Sequence, residues 1–210
     1  MTDATRRTVF LAAALAGMAL MLFVASAQAA DDAPEWIVDS AKSSIAFTAR
    51  QMGVPSKGRF KTFKASVKFD PDNLPASAVE VIVEVASADA GNPDIDKEIK
   101  LEKWFDVARF PTVRFATTAF RTKSKDATGK GVYEAVARLT IRDVTEEVVL
   151  PFNLEIGADP ADSSQLAARM TGELTVSRTK FGVGRGEWRD TKIVGDEVGI
   201  QIEMLARRKK

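Results

Sequence analysis

The chain has 210 residues, 30 of them lysine or arginine and 29 aspartate or glutamate, with neither a cysteine nor a histidine. Near-balanced charge argues against a nucleic-acid surface, and the missing cysteines exclude disulfides, thiolate metal sites, a catalytic thiol and a lipid-modified N-terminal Cys. The missing histidines remove the commonest metal ligand and the commonest general base together.

Residues 1–29 read as a cleaved export signal, with Arg6 and Arg7 as a basic start, an apolar run over 9–24, and Ala27-Gln28-Ala29 as a small-x-small cleavage site. At 16 residues the apolar run is shorter than the roughly 20 needed to span a bilayer. The arginine pair admits twin-arginine export beside the general secretory route, although Val9 stands where that signal usually carries Phe. Cleavage removes Arg6, Arg7 and Asp3 and leaves 28 basic and 28 acidic residues, a net charge of zero. The expected mature product, residues 30–210, is one β domain in the periplasm.

Strands follow in order. Residues 36–38 open, and 43–49 follow with Ile45 and Phe47 on one face. Gly53, Pro55 and Gly58 punctuate a connection. Residues 59–70 alternate around Phe63, Ala65, Val67 and Phe69, and 78–88 alternate through Val79, Val81, Val83 and Val85. Ile95, Ile99 and the Trp104-Phe105 pair repeat at a helical spacing, so residues 94–103 are expected to form a short helix over one end of a sheet, with Pro93 in its first turn. Alternation resumes over 113–121, and 123–130 reads as a polar loop.

The long hairpin at 131–156 organises the chain. Tyr133, Ala135, Ala137, Leu139 and Ile141 share one face of its first arm, and Val144, Val148, Leu150, Phe152, Leu154 and Ile156 share one face of the second, with Arg142-Asp143 as the turn. Residues 165–177 and 196–206 complete the set, and 207–210 form a basic tail. Long antiparallel strands with one apolar face predict an all-β fold, a barrel of about eight strands with one short helix at an end.

Few residues offer chemistry. The stretch Ser177 to Trp188 is glycine-rich, yet it lacks the spacing of a dinucleotide or phosphate loop, and a loop joining two strands is the simpler reading. Arg178, Arg185 and Arg189 stand there as candidates to grip an anionic head group. Asp94, Asp96 and Glu98 lack the Gly turn and distal Glu of a calcium loop and suit a helix start. Ser43, Ser44 and Ser87 have no histidine to activate them. These residues support neither an enzyme nor a cofactor or metal site.

The ordered set Gly58-x-Phe60, Phe63, Phe69-Asp70-Pro71, Ala86-Ser87, Gly91-Asn92, Trp104-Phe105-Asp106, Phe110-Pro111, Phe115, then LTIRDVT at 139–145 and SRTKFGVG at 177–184, resembles the YceI family over about residues 36–206. Ile95 and Glu98 stand where many members have Arg and His, and Asp143 replaces the usual turn Gly. The Trp104-Phe105 and Gly186-Glu187-Trp188 variants resemble a branch associated with membrane cytochrome b561 proteins. The resemblance implies a lipocalin-like barrel whose pocket binds a long isoprenoid chain, either a polyprenyl phosphate or the tail of a quinone. It also implies a carrier rather than an enzyme, with transient membrane contact and a homodimer among its associations. Two other functions compete, an interaction module docking on a membrane redox partner and an isoprenoid-modifying enzyme. The candidate ligand-binding residues are Phe47, Phe69, Val83, Phe115, Leu139, Ile141, Leu150, Phe152, Met170, Leu174, Arg178, Phe181 and Trp188.

Overall fold

Alternating apolar and polar residues become antiparallel strands in the computed structural model, which describes residues 32–128 and 130–210. The strands are β1 (Glu35–Val38), β2 (Ser44–Gln51), β3 (Val54–Phe60), β4 (Phe63–Lys68), β5 (Ala78–Glu84), β6 (Ala88–Asp89), β7 (Thr112–Lys125), β8 (Lys130–Ile141), β9 (Val144–Ala158), β10 (Gln165–Ser177) and β11 (Glu197–Lys209), with one α-helix, α1 (Pro93–Glu98). The export signal read at residues 1–29 lies outside the described residues. Eight strands close on themselves in the order β1-β4-β5-β7-β8-β9-β10-β11, because β11 pairs back onto β1 at Ile37↔Arg207 and Val38↔Ala206. Closure leaves none of these eight as a long free edge. The upper half of β11 pairs instead with β2, which carries β3 and β6. Among the described residues the fold is therefore the expected all-β antiparallel barrel with one helix.

Several boundaries differ from the sequence reading, each for a local reason. The connection over 52–58 is strand β3, paired with β2 from Gln51↔Val54 to Ile45↔Phe60. Its Pro55 is tolerated because β6 reaches only Arg59 and Phe60 on the other side, so no ladder bond is lost there. The run 59–70 breaks at Lys61-Thr62, where the Ser87 hydroxyl accepts from the Thr62 amide at 3.0 Å. The run 78–88 ends early, because Val85–Ser87 tightens into a 3-10 turn.

Helix α1 is shorter than 94–103. Asn92 caps it by accepting from the amides of Asp94 and Ile95, and the Leu101 carbonyl then turns the chain by accepting from Trp104 and Asp106. The loop over 123–130 shrinks, since β7 runs on to Lys125.

The basic tail is also strand. Arg207 lies in β11, donating to Asp39 at 3.0 Å and to the buried Asp159. The Asp39 carboxyl is held below its ordinary pKa chiefly by that Arg207 bond; that of Asp159 is lowered chiefly by the Ala161 amide and then by Arg207. A carboxylate whose pKa is lowered on folding stabilises above its unfolded pKa and loses that contribution as pH falls through the folded value. Stability should hold down to about pH 4 and fall below it. Asp159→Asn should flatten that acid limb, as urea midpoints across the acid range would read.

Inward residues at the end of the barrel opposite the Arg142-Asp143 turn form an aromatic floor. Phe69 meets Phe120, Tyr133 and Phe152 edge-on at 5.1, 5.7 and 6.1 Å, and Tyr133 stacks on Phe152 at 5.5 Å. The Trp36 indole donates to the Phe69 carbonyl at 2.9 Å, which satisfies a buried N–H without admitting water.

Candidate functional site

Above this floor the barrel is not filled. Inward positions of almost every strand surround a cavity of about 300 Å³. Part of the space comes from small side chains at inward positions: Ala49 of β2, Ala65 of β4, Ala135 of β8, Ala168 of β10 and Ala206 of β11 all line it. Along β10 and one residue past its end the wall runs from Ala168 to Arg178. At about 3.4 Å per residue and a tilt of about 40°, that is an axial length of about 25 Å. The space is long, narrow and apolar.

The polar groups in the wall are already engaged. Thr117 Oγ1 accepts from the Val79 amide at 2.8 Å and donates to the Val79 carbonyl at 3.2 Å. Arg178, 4% exposed, donates to the carbonyls of Gly195 at 2.9 Å, Val183 at 2.9 Å and Val194 at 2.6 Å, with its guanidinium 5.7 Å from the Trp104 ring. Burial lowers its pKa, but a guanidinium stays protonated in proteins. With those donors spent, the wall offers a guest apolar contact and dispersion. Among the described residues no cluster of acidic side chains has the geometry to hold a metal ion.

Two loops cover the end away from the floor. Residues 99–110 and 178–195 are tied by the Arg185 amide donating to the Lys103 carbonyl at 2.7 Å, by Lys103 pairing with Glu187 at 2.6 Å, and by Trp104 packing on Trp188 at 5.4 Å. The hairpin turn joins them. Arg142, with a left-handed φ of 56°, buries its guanidinium to bond the carbonyls of Glu102 (2.9 Å) and Trp104, lies 3.6 Å from Asp106, and sits over the Phe110 ring. Burial and the nearby Arg185 charge lower its pKa. Ile99 and Phe105 complete the wall here and are only half-buried.

Phe47, Phe69, Val83, Phe115, Leu139, Ile141, Leu150, Phe152, Met170, Leu174 and Arg178 all line the cavity. Phe181 and Trp188 stand behind the wall, Phe181 in a cluster with Trp104, Val176 and Val194, and Trp188 against Trp104. Arg178 lines the cavity, and the guanidinium that its loop position offers to a head group is bonded to three loop carbonyls. Arg185 and Arg189 are exposed, and Arg185 lies 3.9 Å from Asp143. The sequence reading missed Ile99, Phe105, Val183 and Val194, which reach the cavity from loops where no periodicity marks an inward face. The inward alanines were legible, since Ala65 and Ala135 share the phase of their apolar neighbours.

Comparison with known proteins agrees with this architecture. A UPF0312 protein of Vibrio vulnificus is 32% identical over 148 residues, covering 69% of this chain and 74% of its own length. The crystal structure of BcnA from Burkholderia cenocepacia superposes with a TM-score of 0.68 at 33% identity, covering 80% of this chain and 98% of that one. A polyisoprenoid binding domain from Saccharophagus degradans, implicated in plant cell wall breakdown, shares the fold with a TM-score of 0.62 at 11% identity, covering 81% and 97%. The model of the YceI-like domain matches residues 36–206, nearly the whole barrel, and the chain belongs to the YceI-like family.

Proposed function

We propose that this protein is a periplasmic carrier that holds the chain of a long isoprenoid lipid along the barrel axis. The observation that carries the reading is the cavity itself: long, apolar, and lined by polar groups whose hydrogen bonds are already made. The polyisoprenoid binding domain of the same fold in S. degradans supports it, as do the export features of residues 1–29. Among the described residues Arg178 is the one charged residue that lines the cavity, and its bonds to three carbonyls engage it, so the polar head of the lipid stays at the loop-covered end. That favours a weakly polar head such as a quinone over a charged one. A wall of apolar side chains holds a chain without transforming it, which favours a carrier over an enzyme.

Energetics suit exchange rather than trapping. Moving 40 carbon groups from water at about 0.8 kcal/mol each would gross about 30 kcal/mol, beyond the affinity ceiling near 20 kcal/mol. The lipid's reservoir, however, is a bilayer as apolar as the cavity. Transfer is then close to balance and is decided by shape and chain ordering.

The test is to purify the protein from its native host, extract it with organic solvent and weigh the extract. About one isoprenoid per chain is expected. An empty cavity in a host rich in isoprenoids would overturn the carrier and leave the docking module as the better reading. The intact mass of the same sample should place the mature start at or beside Ala30.

A further inference from the structure

The tip of the β2–β3 hairpin is built against the usual preferences of folding. Gln51 pairs with Val54 across a two-residue turn in which Met52 and Gly53 have φ of 49° and 81°. That geometry favours Asn or Asp before the Gly, and a long apolar side chain gains nothing from it. Yet Met52 is 78% exposed and the neighbouring Val54 is 66% exposed. The Met52 amide donates to the carbonyl of Ile193 at 2.8 Å, which brings Ile193, 38% exposed, against the same tip. Three exposed apolar residues therefore share this tip.

This patch continues the cavity. Along β2, Phe47 and Ala49 line the cavity at alternate positions, and in the register Val54 falls on that same face, one step beyond the lip. In the facing loop Val194 lines the cavity while Ile193 turns outward. The opposite end of the barrel is plugged by the aromatic floor, whereas at this end apolar surface leads out of the cavity. Around the tip stand Arg50, Lys57, Arg189 and Lys192, all exposed, and among the described residues none of them makes an ion pair within 4.0 Å. Two exposed acids lie nearby, Asp190, which accepts from the Lys192 amide at 2.9 Å, and Glu197 at the start of β11 beside β2. Four basic residues against two acidic ones leave a local surplus of positive charge.

The geometry points to the Met52-Gly53-Val54 tip with Ile193 as a membrane-docking lip: it inserts into an anionic phospholipid surface while Arg50, Lys57, Arg189 and Lys192 hold the phosphates, and aligns the cavity with the bilayer's acyl region. Exposed apolar residues rimmed by basic ones are the composition of an interfacial anchor, and insertion replaces water by lipid around side chains that the fold itself does not bury. Docking deepens the carrier reading and rests on it for its purpose, though not for its measurement.

The experiment is flotation of the mature protein with vesicles of phosphatidylcholine alone or mixed with phosphatidylglycerol, each doped with a long-chain polyprenol, followed by re-isolation and mass spectrometry of the protein. The wild type should float with the mixed vesicles and not with phosphatidylcholine alone. A Met52→Asp, Ile193→Asp double variant should lose about tenfold or more in partitioning, with a folded thermal transition kept, since Met52 is 78% exposed and the aspartate at 193 can turn to solvent from a site 38% exposed. Arg189→Ser and Lys192→Ser should each lose about fivefold, on the anionic vesicles only. Flotation equal in wild type and tip variant overturns the lip. So does a tip-dependent dimer in solution without vesicle binding, which would assign the surface to a second copy. Tip-dependent flotation with no polyprenol recovered would overturn the carrier and leave the lip standing.

Discussion

Replacing Arg178 with methionine should cost the fold about 3 to 5 kcal/mol, the range for removing one partner from a buried charged network. The guanidinium is the common donor for three carbonyls, those of Val183, Val194 and Gly195, which belong to both arms of the loop that follows β10. Without it each carbonyl loses its donor in a place where water is poorly admitted, at about 1 to 3 kcal/mol apiece before relaxation. Total stability of a domain is about 5 to 15 kcal/mol, so the loss takes a large share of it. Lysine should rescue less than half, since one ammonium cannot reproduce the planar fork that reaches three acceptors.

The packing around the group is equally specific. Arg178 Nη1 lies 2.1 Å from where a Cβ on Gly184 would sit, and Gly184 itself has φ of 81°, so Gly184→Ala should fail for both reasons. Urea midpoints at constant m-value would measure the Arg178 effect. A change below about 1 kcal/mol would show that the guanidinium is not what closes the loop. Loss of cargo at full stability would return Arg178 to the role of head-group ligand.

Filling the cavity should do the opposite, abolishing cargo and sparing the fold. Leu174 lies in the C-terminal half of β10, packed against both the aromatic floor cluster and the Trp104 cluster, and it lines the cavity. In a close-packed core, tryptophan at this position would overpack and cost about 1 to 3 kcal/mol. With about 300 Å³ of empty space beside it, the indole has somewhere to go. Leu174→Trp should therefore unfold within about 1 kcal/mol of the wild type while retaining no isoprenoid in the solvent extract. Strong destabilisation with unchanged cargo would mean that the space is not where the lipid sits.

The barrel was legible because its information is local and periodic. Residues 131–156 keep one apolar phase on each arm despite Val132, Val136 and Val149 on the other face, and β8 and β9 pair from Ile141↔Val144 down to Lys130↔Glu155 as that phase requires. Inward phase also picked out Leu139, Ile141, Leu150 and Phe152 for the cavity wall. What stayed hidden is long-range. Nothing in the string around Arg178 tells that its donors turn back to carbonyls up to 17 residues away, and a lone arginine in a glycine-rich loop reads as a solvated charge. Phe181 and Trp188 failed as wall residues for a related reason: they lie in a loop, where no strand phase separates facing the cavity from packing behind it. The helix was overextended because Ile99 and the Trp104-Phe105 pair keep a helical spacing after the chain has left the helix, their burial coming from the barrel mouth rather than from a helical face.

The fork in β11 also bears on how the chain folds. Its upper half pairs with β2 and its lower half with β1, the Arg207 and Asp39 side chains meeting across 168 residues of sequence. Until β11 is in place, β1 and β2 each lack the neighbour that finally holds them, and closing so long a loop gains no contact until it is complete. Topologies dominated by such distant pairings have high contact order and fold slowly, with strand edges open meanwhile to pairing with other chains. A protein built this way is expected to keep its strand edges open for longer than one built from local contacts, and refolding should slow as protein concentration rises and open edges find other chains.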